Sequence, residues 1–291
     1  MKLYKKNIPL IIFRTLNAVF LGVLVLIVVI PMLNVLTVSL EPASIANELG
    51  SMHLIPKQIT FAAYQKVLRM NVVLKATYNS VFITVVGTII SLIISSMMAF
   101  GLSKKNLIGA TAIGFLMYFS SIFKAGIMPQ YLLIQSLGLL NNLWAVIFLA
   151  LCSPYNIILL RVFFSQIPDS LSESATIEGA NDLQIYYKLI LPMSKPILAT
   201  VTLFAAVTYW NAYVEPRLIL TQPNVKTLQI YLQEVLSMAS SEEDRPGADA
   251  QLIGKNVEMA ITVIATLPIM FVYPFLQKHF TKGIMLGAIK G

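Results

Sequence analysis

Apolar residues gather along the chain in six long runs, roughly 15–40, 80–102, 107–123, 143–164, 197–219 and 257–276. A helix needs about 20 apolar residues to cross about 30 Å of hydrocarbon. The pattern therefore predicts six membrane-spanning helices, the third being short as bounded. The first run is the cleanest, with no charge from Thr15 to Leu40. Its basic start (Lys2, Lys5, Lys6, Arg14) resembles the front of a secretory leader. The apolar run is longer than a leader's core, however, and no small-x-small cleavage site follows, so it reads as a retained helix. Between the runs, 41–79, 124–142 and 220–256 are long polar connections on one side. Tyr64 to Tyr78 has helical spacing and reads equally as a helix along the membrane surface or as an ordered loop. The stretch from Glu242 to Gly247 reads as an exposed turn.

Composition sharpens this. Hydrophobic residues make up 57% of the 291 and charged residues 12%, where a soluble domain carries about 25% charged. That shortage excludes an ordinary soluble globule, a disordered chain and a disulfide scaffold. The lone Cys152 forms no internal disulfide and gives no compartment. The expected fold is an all-α polytopic membrane protein, one transmembrane domain over residues 1–291. The net charge of +8 would suggest nucleic acid on a soluble protein. Here its distribution matters more, and no nucleic-acid partner is expected. One set of connections (1–14, 103–106, 165–196 and the tail from Gln277), with Arg161, holds twelve bases and four acids; the other holds nine of each. Lys/Arg bias marks the cytoplasmic side, so both termini are expected inside.

The informative cytoplasmic connection runs from Pro168 to Pro192. Ser170 and Glu173 have capping-box spacing, which predicts a helix start. Gly179 supplies a stop, because glycine accepts the left-handed conformation that closes a helix. Asn181, with Gln184 three residues on, can cap a second helix whose apolar positions are Leu183, Ile185, Tyr186, Leu189 and Ile190. Pro192 is expected to end it. Small residues (Ser174, Ala175, Gly179, Ala180) permit close approach of a partner's backbone, so the segment reads as a docking element rather than a catalytic one. A plain capping role for Glu173 is compatible with that.

The run Glu173-Ser174-Ala175, Glu178-Gly179-Ala180 and Ile190-Leu191-Pro192 resembles the EAA motif of ABC importer permeases. Ser174 replaces the middle alanine, Glu178 replaces aspartate, and Tyr186-Tyr187 stands at the usual aromatic. The segment Tyr155 to Phe164, the run Tyr209-Trp210-Asn211 and the tail Lys282 to Gly291 resemble the carbohydrate-uptake (MalG-like, binding-protein-dependent) group, most of all its LplC/YtcP-type branch, associated with complex oligosaccharides. The resemblance implies a type I ABC importer permease fold in a bacterial plasma membrane. It implies that Glu173, Ser174, Ala175, Glu178, Gly179, Ala180 and Pro192 belong to a coupling segment seated in a cleft of an ATPase subunit. It also implies a heterodimer with a second homologous permease, two cytoplasmic ATPase subunits, and an extracellular solute-binding protein docked on the outer connections. The cargo would be an oligosaccharide, neutral or uronate-containing. ATP and Mg²⁺ would be held by the ATPase, leaving this chain without a cofactor.

The remaining residues agree with a non-enzymatic role. Gly254-Lys255 lacks the upstream glycine of a phosphate loop and is followed by Asn256 instead of Ser/Thr. No H-E-x-x-H or G-x-S-x-G is present, and His53 and His279 fall on opposite sides in this topology, so no metal site is expected. Polar residues inside spans are costly and usually face a partner or cavity. Span four carries Ser153-Pro154-Tyr155-Asn156, where proline frees a backbone carbonyl that a neighbour must satisfy. Span five carries Thr208, Tyr209, Trp210, Asn211 and Tyr213. Aromatic faces with amide edges suit sugars, so Tyr209, Trp210 and Asn211 are candidates to line a substrate path, with Tyr155 and Asn156 opposite. Interfacial anchoring and interhelical hydrogen bonding are the plainer roles for such residues. Glu215 and Arg217 are expected to pair at the rim, or to meet an acidic sugar or the binding protein. Glu258 suits a helix N-terminus, and Lys278 and Lys282 an inner-surface anchor against membrane lipid. Two alternatives stand: an ABC permease for a non-sugar cargo, and an ion-coupled secondary transporter. The latter would need an intramembrane carboxylate, and no Asp or Glu lies mid-span.

Overall fold

The computed structural model describes residues 8–47, 52–104, 107–123, 125–242 and 254–288, with side chains described within these ranges from 10 to 237 and from 254 to 271. The turn expected at 242–247 lies, past its first residue, outside the described residues, as does His279's side chain. Every regular element among the described residues is helical. In chain order they are α1 (Ile8–Ser39), α2 (Ala43–Ala46), α3 (Ala62–Arg69), α4 (Asn71–Ser103) and α5 (Ala110–Ile122). Then come α6 (Ile127–Ser136), α7 (Leu143–Leu149), α8 (Pro154–Phe164), α9 (Asp169–Ile177) and α10 (Asp182–Ile185). A π-helical turn, Tyr186–Ile190, leads to α11 (Leu191–Met193), followed by α12 (Lys195–Trp210), α13 (Val214–Ile219), α14 (Leu228–Glu242) and α15 (Lys255–Ala288).

Three segments are individually long and apolar enough to cross a bilayer: Leu10–Ser39, Asn71–Ser103 and Lys195–Ile219. Two more stretches reach that length as consecutive helices, α5 with α6 and α7 with α8. α15 covers the sixth apolar run. In α1 the large side chains stand exposed along the helix, Phe13 at 66% and Ile27 at 62%, as suits a helix bathed in lipid. The stretch from Tyr64 to Tyr78 is neither one surface helix nor a loop. Its first part is α3, and Met70 breaks the chain before α4 begins at Asn71.

The chain forms two compact units, Met1–Met70 with Val235–Ala265, and Asn71–Glu234 with Thr266–Gly291. In the first, Glu41 is the hub and is fully buried. Its carboxylate accepts hydrogen bonds from His53 Nδ1 at 2.6 Å and from the Lys57 backbone N–H at 2.9 Å. Its carbonyl accepts from Asn256 Nδ2 at 3.1 Å. The Ser39 hydroxyl bonds Tyr64 at 2.7 Å. These contacts lash the C-terminal end of α1 to α3 and to the start of α15. Burial alone would raise the Glu41 carboxyl. The hydrogen bonds from His53 and Lys57 and their positive charges outweigh it and hold the group below the ordinary glutamate value of 4.5.

In the second unit α4 is the central post, packed by α8 and α12. Its buried side carries Asn79, Ser80, Ile83, Gly87, Thr88, Ser91, Ser95 and Ala99, a stripe of small and polar residues that lets helix backbones approach closely without a hydrophobic driving force. One apolar cluster gathers Ile83, Ile134, Ile147, Tyr209, Ile219 and Ile230. A second, nearer the 168–192 segment, gathers Ala99, Leu160, Phe164, Ile185, Ile190 and Val201.

Span four is broken. α7 and α8 meet at 50° across 150–153. Pro154 opens α8 at its first turn, where a missing N–H costs nothing, and the Ser153 hydroxyl accepts from the Asn156 N–H at 3.5 Å. The break leaves the Ile147 carbonyl without its helical partner. Tyr209 of α12 supplies the donor, its hydroxyl 3.0 Å away. Gly87 of α4 makes room for that ring, since a Cβ there would stand 2.7 Å from Tyr209 Cζ.

Candidate coupling surface and transport path

The segment after α8 is built from two helices joined by a left-handed glycine. Gly179 has φ +87°. Its N–H donates to Thr176 O at 3.0 Å, and the Ala180 N–H donates to Ala175 O at 2.9 Å. Those two bonds form a Schellman closure. Asn181 then opens α10 with a reciprocal capping box: its Oδ1 accepts from the Gln184 N–H at 2.8 Å, and Gln184 Oε1 accepts from the Asn181 N–H at 2.9 Å.

Two expectations fail here. Ser170 caps nothing, because α9 begins one residue earlier with Pro168 at its N-cap and no side-chain cap; Ser170 is already inside the first turn. Pro192 ends no helix either, since the chain stays helical through Met193. The widened π-turn at Tyr186–Ile190 precedes it. A proline ring in a regular helix collides with the carbonyl four residues back, here Lys188, and a π-turn shifts that carbonyl out of register.

The two halves of the segment differ in how they are held. Ile185, Tyr186 and Ile190 are buried. The Tyr186 hydroxyl bonds Ser96 at 2.6 Å, its ring lies 5.4 Å from that of Phe100, and Lys104 pairs with Asp182 at 3.0 Å. The second half is thus riveted to the C-terminal end of α4. Burial pushes the Tyr186 phenol up against the lowering effect of the Ser96 bond. α9 has no buried residue. Glu173, Ser174, Glu178 and Gly179 are exposed, Ala175 and Ala180 half-buried, and Pro192 exposed. Ile177 is 87% exposed. α9 therefore offers an unpartnered surface on a rigidly anchored base.

The five expected path residues divide. Tyr209, Trp210 and Asn156 are buried; Tyr155 and Asn211 are exposed. Tyr155 lies 6.0 Å from Phe204, ring to ring, which joins α8 and α12 on the exposed side. Asn211 ends α12 at the step into α13. The expected Glu215–Arg217 pair is not formed among the described residues. Residues two apart on a helix point to opposite sides, and Arg217 instead bonds the Tyr213 hydroxyl four residues back and lies over its ring. One functional-looking clamp escaped sequence reasoning. Asn141, at φ +58°, accepts from the Thr221 N–H, the Thr221 hydroxyl and the Gln222 N–H at 2.8, 3.0 and 2.9 Å. It fixes the turn after α13 beside α7. The Asn141-Asn142 pair after Gly138 was its only signal.

A sequence profile of the family described as "binding-protein-dependent transport system inner membrane component" matches residues 6–286. The chain belongs to this family. The permease is 39% identical over 276 residues to the polygalacturonan/rhamnogalacturonan transport system permease protein YtcP of Bacillus subtilis (strain 168), covering 94% of this chain and 96% of that protein. It is 37% identical over 283 residues to Protein LplC of the same organism, covering 96% and 95%. A crystal structure of a bacterial ABC transporter involved in importing the acidic polysaccharide alginate contains a chain similar to it, with TM-score 0.84 and 33% identity over 96% of this permease and all of that chain. The permease is accordingly an all-α, multi-pass membrane component of an ABC importer, as the EAA-like run had suggested, and of the carbohydrate-uptake type that Tyr155–Phe164, Tyr209–Asn211 and the tail from Lys282 had suggested.

Proposed function

We propose that this permease forms half of the translocation path for an oligosaccharide containing uronate residues, paired with a second homologous permease and driven by two cytoplasmic ATPase subunits. The observation that carries the reading is the exposed α9 held on an anchored base by Gly179. An ATPase cleft that receives α9 can transmit its closure to α4, α8 and α12 because the second half of the segment is fastened to α4. Glu173, Ser174, Ala175, Glu178, Gly179, Ala180 and Pro192 would be the coupling residues. An extracellular solute-binding protein would deliver cargo to the outer connections, with both termini inside.

For the path, Tyr155 and Asn211 would contact cargo, while Tyr209, Trp210 and Asn156 would form the wall behind them and hold the break in span four. The uronate assignment is supported by the acidic polysaccharides named for two of the similar proteins, YtcP and the alginate transporter. The test is ATP hydrolysis by the reconstituted importer, stimulated by its binding protein loaded with oligogalacturonides or with neutral oligosaccharides of equal length. Stimulation by the acidic set alone supports the reading; stimulation by the neutral set alone overturns the uronate assignment and leaves the permease role intact.

A further inference from the structure

We propose that the groove beside the coupling helix binds the headgroup of a phospholipid that carries both a phosphodiester and a primary ammonium, as phosphatidylethanolamine does. The groove lies among the end of α4, the start of α5, the end of α8 and the length of α9, with a volume of about 1090 Å³. It sits where the apolar spans give way to the 168–192 segment, which in the topology proposed above is the level of inner-leaflet headgroups.

Its charges are arranged unusually. Arg161 lines the groove and is half-buried, and its guanidinium forms no ion pair among the described residues. α5 leaves it space: a Cβ added at Gly114 would stand 3.1 Å from Nη1. The other described base in the groove, Lys104, is already engaged by Asp182 at 3.0 Å and lies over the Phe100 ring. Among the described bases of the groove, Arg161 is therefore the one open to a ligand. A guanidinium offers five donors and no acceptor, and in a partly desolvated site it calls for an anion. Its planar fork matches phosphate bidentately. Basic pockets between membrane helices on the cytoplasmic side are known to receive phospholipid headgroups.

The opposite wall narrows the headgroup class. Glu173 of α9 lines the same groove and forms no ion pair among the described residues. A purely anionic headgroup would set negative charge against that carboxylate. A zwitterionic one places its phosphate on Arg161 and its ammonium toward the acidic wall. Leu102, Phe164 and Ile167 add apolar lining for the glycerol and upper chains. A lipid so placed would brace α9 against α4 and α8, linking coupling to membrane composition. This inference does not depend on which cargo the permease carries.

The test uses the full chain purified with its co-purifying subunits. A photo-reactive phenylalanine replaces exposed Thr111, which lines the groove. The complex is reconstituted into phosphatidylcholine vesicles supplemented with phosphatidylethanolamine or with phosphatidylglycerol, and adducts are identified by intact mass after irradiation. The expected result is a phosphatidylethanolamine adduct, with little from phosphatidylglycerol or from phosphatidylcholine alone, whose quaternary ammonium has no N–H to donate. Arg161→Gln should cut the adduct about tenfold, the loss of one charge-assisted contact, and Arg161→Lys should restore part of it. An adduct to an ATPase polypeptide, an equal yield from phosphatidylglycerol, or a yield indifferent to Arg161 would overturn the assignment. The headgroup comparison needs no change at Arg161, so it stands even if Arg161→Gln fails to insert.

Discussion

Gly87→Ala is a sharp test of how span four is held. The new methyl would stand 2.7–2.8 Å from three atoms of the Tyr209 ring; ordinary contact begins at 3.4 Å, so the ring must retreat by about 0.7 Å. A free side-chain tip would yield cheaply. This ring is 4% exposed and its hydroxyl is fixed 3.0 Å from Ile147 O. Retreat therefore either strains the packing or gives up the hydrogen bond. Overpacking of this kind costs about 1–3 kcal/mol, and an interhelical hydrogen bond in a membrane contributes about 0.6 kcal/mol on average and up to about 1.7. Gly87→Ala should thus destabilise by about 2 kcal/mol, roughly a 30-fold shift in the unfolding equilibrium. Tyr209→Phe should cost about 1 kcal/mol through the orphaned carbonyl. Tyr209→Leu removes the obstacle, so adding Gly87→Ala to it should cost less than about 0.5 kcal/mol. The assay is reversible denaturant unfolding in mixed micelles for the three single variants and for Gly87→Ala combined with Tyr209→Leu. If Gly87→Ala and Tyr209→Leu add within about 0.5 kcal/mol, the two residues do not press on each other and the reasoning is wrong.

Other expectations follow from the same geometry. Nothing lies within 4 Å of a Cβ at Gly179, so Gly179→Ala should cost only the left-handed backbone penalty, about 1–2 kcal/mol; Gly179→Asn should cost less, with hydrogen exchange across 169–194 as the readout. Asn141→Ala removes one acceptor shared by three donors and should destabilise by about 2 kcal/mol, read by loss of exchange protection at 219–222. Glu41 is held below 4.5 in the folded chain, so its contribution is complete above that pH and is lost as pH falls through the lower folded value. Thermal unfolding should show an acid limb that Glu41→Gln flattens; an unchanged limb would mean another group titrates there.

Helical class and the apolar runs were legible in the sequence because lipid demands long uncharged stretches. So were the left-handed stop at Gly179 and the cap at Asn181, because both depend on local chemistry within a few residues. Boundaries and breaks were less so. Pro154 signalled an interruption, but the carbonyl that the break exposes to Tyr209 is that of Ile147, and its donor lies 62 residues further along the chain, where no local pattern names it. Tyr209 and Trp210 looked like path residues because aromatics suit sugars. The burial of Tyr209 follows from Gly87, whose missing side chain on α4 opens the space for its ring, and spacing along one helix cannot reveal a gap on another. Pro192 misled for the opposite reason: the rule that proline stops a helix assumes regular α geometry, and the π-turn at Tyr186–Ile190 relaxes it. The Glu41 hub was missed because its partners at 53, 57 and 256 meet it only in three dimensions.

The central claim is that α9 and Gly179 couple this permease to a separate ATPase. The most direct measurement is purification of the tagged chain from native membranes in mild detergent, with every co-purifying protein identified, for the unaltered chain and for Gly179→Asp. The account predicts recovery of a second permease and an ATP-binding subunit, with Gly179→Asp losing the ATP-binding subunit alone. Recovery of the chain by itself as a stable homo-oligomer, under conditions that preserve other membrane complexes, would contradict it.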